Sequence, residues 1–299
     1  MSKTDMSRLV LGTAQLGMNY GIANKTGQPS REIAESIVSI SWKNGGREFD
    51  TAQIYGNSET LLGKILKNLD RGREAKIISK PDPKIDILQP GNMEQAVRSS
   101  LANIGLDKFY GYMVHKEEFL TEWDKGIGIQ TEEIRAKGLV DNIGISVYSP
   151  ENARLAIETD GVDLIQIPSN ILDRRFEKEG IFDLACKKGK SIYVRSVFLQ
   201  GLIFMNPEDL PEHMKFAAPY IQEVSKIAAD AGISVQELAL SYAAKAYPEA
   251  KILVGAELPE QMQENIKSFS LDCPDSLRDK IRTTFDSVPE KLVNPVLWN

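Results

Sequence analysis

Eight short apolar segments recur along the chain, and each gives way to a stretch with helical spacing. They are RLVLGT from Arg8, REFDT from Arg47, AKIISK from Ala75, FYGYMVH from Phe109, LVDNIGIS from Leu139, VDLIQIP from Val162, SIYVRS from Ser191 and KILVGA from Lys251. Their length and β-branched content suit buried strands. Between them lie segments such as REIAESIVSISW, where Ile33, Ile37 and Ile40 fall on one helical face. Helix punctuation agrees: Asn92 with Gln95 and Ser234 with Glu237 read as capping boxes, and Pro150 and Pro259 suit first turns. Glycines in NIGL, AKGL, KKGK and DAGI close helices just ahead of strands. The long gap before the eighth strand fits two helices split by Gly232. Strict strand and helix alternation without a linker predicts an α/β fold, a (β/α)8 TIM barrel built as a single domain over residues 1–299. A doubly wound sheet is the alternative. It lacks its G-x-G-x-x-G turn, since LGTAQLGMNYG spaces its glycines differently.

Charge narrows the partners. Forty-two acidic against 36 basic side chains leave a net charge of −6 with no basic stripe, which disfavours nucleic acid. The N-terminal MSKTDMSRLVLG has no uninterrupted apolar run, and no stretch of about 18 apolar residues occurs elsewhere, so a cytoplasmic protein with no membrane partner is expected. Cys186 and Cys273 stand far apart and read as reduced thiols. No metal site is assigned.

In a barrel the chemistry belongs at the C-terminal strand ends. Asp50 ends the second strand with Tyr55 in its loop, Lys80 ends the third and His115 the fourth. Together an acid, a phenol, an amine and an imidazole make a proton-transfer site. A free tyrosine titrates near pH 10, and the reading is that Lys80 lowers that value while Asp50 holds Lys80 charged. His115 would hydrogen-bond a substrate oxygen beside the Tyr55 hydroxyl. Each residue alone has an ordinary structural explanation; placement on successive strand ends favours the set.

FDTAQIYGNSE, KIISK, the histidine of YMVHK, NIGISVYSP and VGAELPEQMQENI, in that order, resemble the signatures of the aldo-keto reductases over nearly the whole chain. The resemblance implies a barrel that binds NADPH or NADH without a Rossmann fold and passes hydride to a carbonyl. It implies Tyr55 as general acid, Asp50 and Lys80 as its tuning pair, and His115 as the residue that polarises the carbonyl. It places Gly12 and Thr13 beneath the nicotinamide and Ser146 and Gln166 on its carboxamide. Ser196, Phe198, Gln200 and Gly201 would hold the pyrophosphate. Gly255 and Ala256 would offer N–H groups at a helix N-terminus, with Glu257, Gln261, Glu264 and Asn265 near the adenosine.

The chain also departs from the family's pattern. Val147 replaces the usual asparagine after Ser146, and Arg195 falls where the family stacks an aromatic on the nicotinamide. The guanidinium either stacks there, disfavouring the oxidised ring, or meets an anionic substrate group or the pyrophosphate. Basic residues for a 2′-phosphate are not evident, and Glu257 would repel one or accept from a 2′-hydroxyl. The usual N-terminal β-hairpin under the barrel is missing. Ser58 and Glu59 read as caps of the next helix. The substrate is expected to be a carbonyl compound, a sugar or sugar derivative, met by the loops after strands one, three and four and by Trp298. Two alternatives stay open: a nicotinamide-binding redox sensor with little turnover, and a barrel lyase or isomerase that uses no nicotinamide.

Overall fold

The structure, a computed structural model, describes residues 5–72 and 74–298. Its eight strands are β1 (Leu9–Gly12), β2 (Glu48–Asp50), β3 (Lys76–Ser79), β4 (Phe109–Val114), β5 (Val140–Ser146), β6 (Leu164–Pro168), β7 (Ser191–Arg195) and β8 (Lys251–Val254). Each pairs in parallel with the next and β8 pairs with β1, closing the barrel in chain order. Helices fill every crossover, with Ala218–Asp230 and Val235–Ala246 both before β8. This is the expected (β/α)8 barrel, and every strand of the sequence reading is present.

Strand period explains why polar groups gather at one end. Val10, Ile78, Met113, Leu164, Tyr193 and Leu253 form a separate buried cluster inside the barrel. Side chains alternate faces along a strand, so two residues on from each lie Gly12, Lys80, His115, Gln166, Arg195 and Gly255. Glu48, buried at the start of β2, relates to Asp50 in the same way. An apolar plug thus separates the polar C-terminal rim from the N-terminal end.

Local chemistry agrees in part. Ser234 and Glu237 form a reciprocal capping box, and Gly105, Gly138, Gly189 and Gly232 take positive φ after their helices. Asn92 is the first helical residue rather than a cap: Gly91 occupies the cap position, and the Asn92 amide bonds Asp86 O instead. No hairpin precedes β1 among the described residues; Met6–Arg8 form one short 3-10 turn. Arg8 donates to the carbonyls of Ala244, Tyr247 and Ala250. Trp298 is buried, bonds Lys291 O through Nε1 and is not among the residues lining the cleft at the strand ends, so the expected tail contact to substrate finds no support. Among the described residues no helix is long and apolar enough to cross a membrane. Cys186 and Cys273 are both free.

Candidate active site

The turn that carries Tyr55 is pressed against the turn after β1. A Cβ on Gly17 would lie 2.0 Å from Tyr55 O, and one on Gly56 2.3 Å from Gly17 O, so neither position accepts a larger residue without parting the turns. Beneath them Thr51 Oγ1 donates to Ser58 Oγ, Ser58 Oγ to Thr13 Oγ1, and Thr13 Oγ1 to Asp50 O. Ser58 is therefore a tie between β1 and β2, not a cap. Glu59 is also buried and accepts from Ser79 Oγ and Asn103 Nδ2. Both residues leave the helix cap to Asn57 because burial commits them to the core side.

Lys80 and Asp50 form a fully buried ion pair. Lys80 Nζ donates to both Asp50 oxygens and, at 3.1 Å, to Thr51 O. An ammonium has three donors, so none remains for Tyr55; the amine lies 5.5 Å from the Tyr55 ring centre. Burial lowers the Lys80 pKa, against the raising pull of Asp50. Tyr55 moves the opposite way from the sequence expectation. Burial, then the Asp50 charge, raise its pKa, and Arg195 opposes them. Lys80 does not depress the phenol because Asp50 cancels its charge at close range.

His115 meets Tyr55 edge to face, ring centres 6.4 Å apart. Its Nδ1 lies 3.3 Å from Pro81 O. A carbonyl oxygen only accepts, so Nδ1 carries the proton and Nε2 of the neutral ring is an acceptor. That sense is opposite to polarising a carbonyl by donation. Burial and then the Lys80 charge push the His115 pKa down to about 4.

A cleft of about 440 Å³ opens beside these groups. It brings together Gly12, Thr13, Asp50, Tyr55, Gln166, Arg195, Ser196, Phe198, Gln200, Gly201, Gly255, Ala256, Glu257, Gln261, Glu264 and Asn265. Lys80, His115 and Ser146 adjoin it without lining it: Lys80 lies beneath Asp50, and Ser146 sits beside Gln166 in the β5–β6 register. Gln166 spends its amide on both Asp50 oxygens at 3.3 Å. At the far end Gly255 and Ala256 lie in a turn, because the helix begins only at Pro259. There Gln261 Oε1 accepts the N–H groups of Glu257 and Leu258. Asn265 bridges Gly255 O and Gln236 Nε2.

Backbone strain marks the β7 loop: Ser196, Leu199 and Gln200 all have positive φ, as does Gly201. The loop after β1 crosses the cleft to reach it. Ile22 N–H donates to Gln200 O, and a Cβ on Gly201 would lie 2.7 Å from the Ala23 methyl. Sequence reasoning missed Gln15 and Gln236 in the lining, since neither carries a local signal; only the barrel brings them to the cleft. It also missed Tyr148, whose ring lies under the Arg195 guanidinium at 4.3 Å. The Ser146-Val147 departure pointed at that segment, but Val147 faces the core and Tyr148 the rim.

A closed parallel barrel with its polar groups and cleft at the C-terminal strand ends is the architecture of a barrel enzyme. The chain belongs to the Aldo/keto reductase family, whose sequence model matches residues 8–283. It is a nicotinamide-dependent oxidoreductase. It is 25% identical to the NADH-specific methylglyoxal reductase of Escherichia coli strain K12, over 91% of this chain and 92% of that protein. It is 22% identical to the D-threo-aldose 1-dehydrogenase of a Pseudomonas species, over 93% and 96%. An aldo-keto reductase from Bacillus halodurans in its holo form superposes with a TM-score of 0.77 at 22% identity, covering 96% of this chain and 95% of that one, which speaks to the fold.

Proposed function

We propose that the protein is an NADH-dependent reductase of small, hydroxylated carbonyl compounds, with Tyr55 as the general acid. The observation that carries this is Tyr55 at the cleft, kept in its protonated form by burial and Asp50. The residues fit a dinucleotide. The cleft runs from Tyr55 past the strained Ser196–Gly201 loop to Asn265, an extended lining for an extended ligand. When bound, the cofactor supplies the hydride.

The chain's own residues do the rest. Tyr55 donates its proton to the oxygen on which negative charge develops. Asp50 and Lys80 hold each other and, through Thr13 and Thr51, fix the ends of β1 and β2 around the phenol. His115 Nε2 accepts from a hydroxyl neighbouring the carbonyl, which suits a hydroxylated substrate. The resting phenol, held protonated by burial and Asp50, is the form that donates a proton to a carbonyl oxygen near neutral pH. Arg195, the one Lys or Arg in the cleft lining, adds a charge that opposes an oxidised nicotinamide.

NADH is supported at the adenosine end. No Lys or Arg lines it, Glu257 stands there, and Gln261 already occupies the turn's N–H groups. A 2′-phosphate would meet a carboxylate and no cation. The named activities of the methylglyoxal and aldose relatives agree with a small oxygenated carbonyl as substrate.

Absorbance of NADH and of NADPH, followed with a panel of small aldehydes, ketones and sugars, tests the proposal. NADH-linked reduction is expected, and Tyr55→Phe should lower kcat by about 10²–10⁴-fold while NADH still binds. Retained turnover in Tyr55→Phe removes Tyr55 from the chemistry; a clear NADPH preference overturns the reading of Glu257 and Gln261.

A further inference from the structure

We propose that Arg195 is the recognition site for an anionic group on the substrate, so that the preferred substrates are carbonyl compounds carrying a carboxylate or phosphate close to the reacting carbon. This rests on the reductase reading of the same cleft and goes beyond it by naming the charge of the substrate.

The geometry of the guanidinium carries the argument. The guanidinium lies over the Tyr148 ring, with Cζ 4.3 Å from the ring centre. A ring contact of this kind uses none of the guanidinium N–H groups. Nη2 is buried with no hydrogen-bond partner, and Nη1 has only a long 3.4 Å contact to Ser196 Oγ. No carboxylate lies within ion-pair distance among the described residues. The other long-range cations of the barrel interior are paired: Lys80 with Asp50, Lys251 with Glu48. Among the described residues, of the buried side-chain atoms without a partner Nη2 alone belongs to a residue that lines the cleft, where a ligand can satisfy it.

Charge bookkeeping at the mouth points the same way. Asp50 and Lys80 cancel, and the His115 ring and the phenols Tyr20 and Tyr55 are uncharged near neutral pH. Glu257 and Glu264 lie at the adenosine end of the cleft and Glu117 Oε2 is taken by Tyr148 N–H, so around the reacting groups Arg195 is a half-buried cation without a carboxylate partner, and a substrate anion is its natural counter-ion. Its reach covers the reacting groups, since its charge acts on Tyr55, Tyr20, Lys80 and His115 alike. Tyr148, two residues beyond β5, braces the guanidinium, whereas Phe198, Gln200 and Gly201 line the cleft together with Gly255 and Ala256 after β8. This placement favours a substrate group over the pyrophosphate. The planar fork matches the two oxygens of a carboxylate or phosphate, and a neutral carbonyl substrate would leave Nη2 unsatisfied.

The test uses matched pairs. Glyoxylate and methylglyoxal have the same heavy-atom skeleton and differ by a carboxylate oxygen for a methyl; glyceraldehyde 3-phosphate and glyceraldehyde differ by the phosphate and tell the two anions apart. The wild-type protein should prefer the charged member of at least one pair in kcat/KM. Arg195→Gln should collapse that charged-to-neutral ratio by about 10- to 150-fold, mainly through KM, as expected for losing hydrogen bonds to a charged group. Arg195→Lys, which keeps charge without the fork, should recover part of it. Independently of turnover, calorimetry should show oxamate binding to the wild-type protein with NADH and a matching loss in Arg195→Gln. A wild-type preference for the neutral members, or an unchanged ratio in Arg195→Gln, overturns the proposal. Weakened NADH binding with an unchanged ratio assigns Arg195 to the cofactor instead. Failure of every carbonyl to be reduced by the wild-type protein is a different result, and sinks the reductase reading itself.

Discussion

At His115 two neighbours decide the protonation state. Burial removes the water an imidazolium needs, and the Lys80 charge repels it, so the ring pKa falls from the ordinary 6.5 to about 4. The unfolded chain then binds a proton that the folded one refuses between those two values. Stability from this site is complete above pH 6.5 and is lost as pH falls toward 4, by up to about 3 kcal/mol. The chain has only two histidines, so His115 is easily assigned by substitution in a proton NMR titration. Its ring signal should stay at the neutral shift from pH 8 to about 5 and move only near pH 4. A midpoint near 6.5 would show that the ring reaches water and is free to donate through Nε2. The four catalytic candidates were readable in sequence because each ends a strand or its loop. Their hydrogen-bond directions were not: the Lys80 donors are consumed by Asp50 and Thr51 O, a fact of three dimensions that reverses the sign of the effect expected on Tyr55.

The crossing loop after β1 shows what is and is not legible at the level of elements. Strands and helices announce themselves through period, and the glycine closures through turn chemistry, so the barrel followed directly from the alternation. The loop has no period; its role is set by Ile22 on Gln200 and Ala23 on Gly201, contacts separated by more than 170 residues of chain. Asn92, Ser58 and Glu59 failed as caps for a related reason, since cap-forming side chains were drawn to partners outside their own helix. Where the loop meets Gly201, the φ of +89° and the 2.7 Å approach of a Cβ to Ala23 make a side chain doubly unwelcome. Gly201→Val should push the loop off the cleft and speed NADH release several-fold in stopped-flow fluorescence. Adding Ala23→Gly should restore part of the slow release. If the double variant releases as fast as the single one, backbone strain at residue 201, not displacement of the loop, governs the rate.

Across the whole molecule, the apolar plug of Val10, Ile78, Met113, Leu164, Tyr193 and Leu253 divides the barrel into two polar ends with different duties. The rim end gathers the cleft; the other end gathers a charge network around Glu48. That carboxylate is 2% exposed and accepts from Tyr193 Oη at 2.8 Å and from Lys251 Nζ at 2.7 Å, with Lys76 at 3.8 Å. It ties β2 to β7 and β8 across the barrel floor, and with burial it raises the Tyr193 pKa so that the phenol stays a donor. Glu48→Gln keeps the shape but removes the charge that Lys251 faces. Breaking one side of a buried pair costs about 3–5 kcal/mol, and the partial exposure of Lys251 places this one at the low end, with Lys76 contributing least because it is half exposed. Since the plug lies between Glu48 and the cleft, the loss should fall on stability alone: urea unfolding of Glu48→Gln should shift to lower midpoint, while kcat and KM of the folded protein at low temperature stay at wild-type values. Equal damage to both would mean that the floor network sets the spacing of the strand ends at the rim, and that the two ends of this barrel are mechanically one.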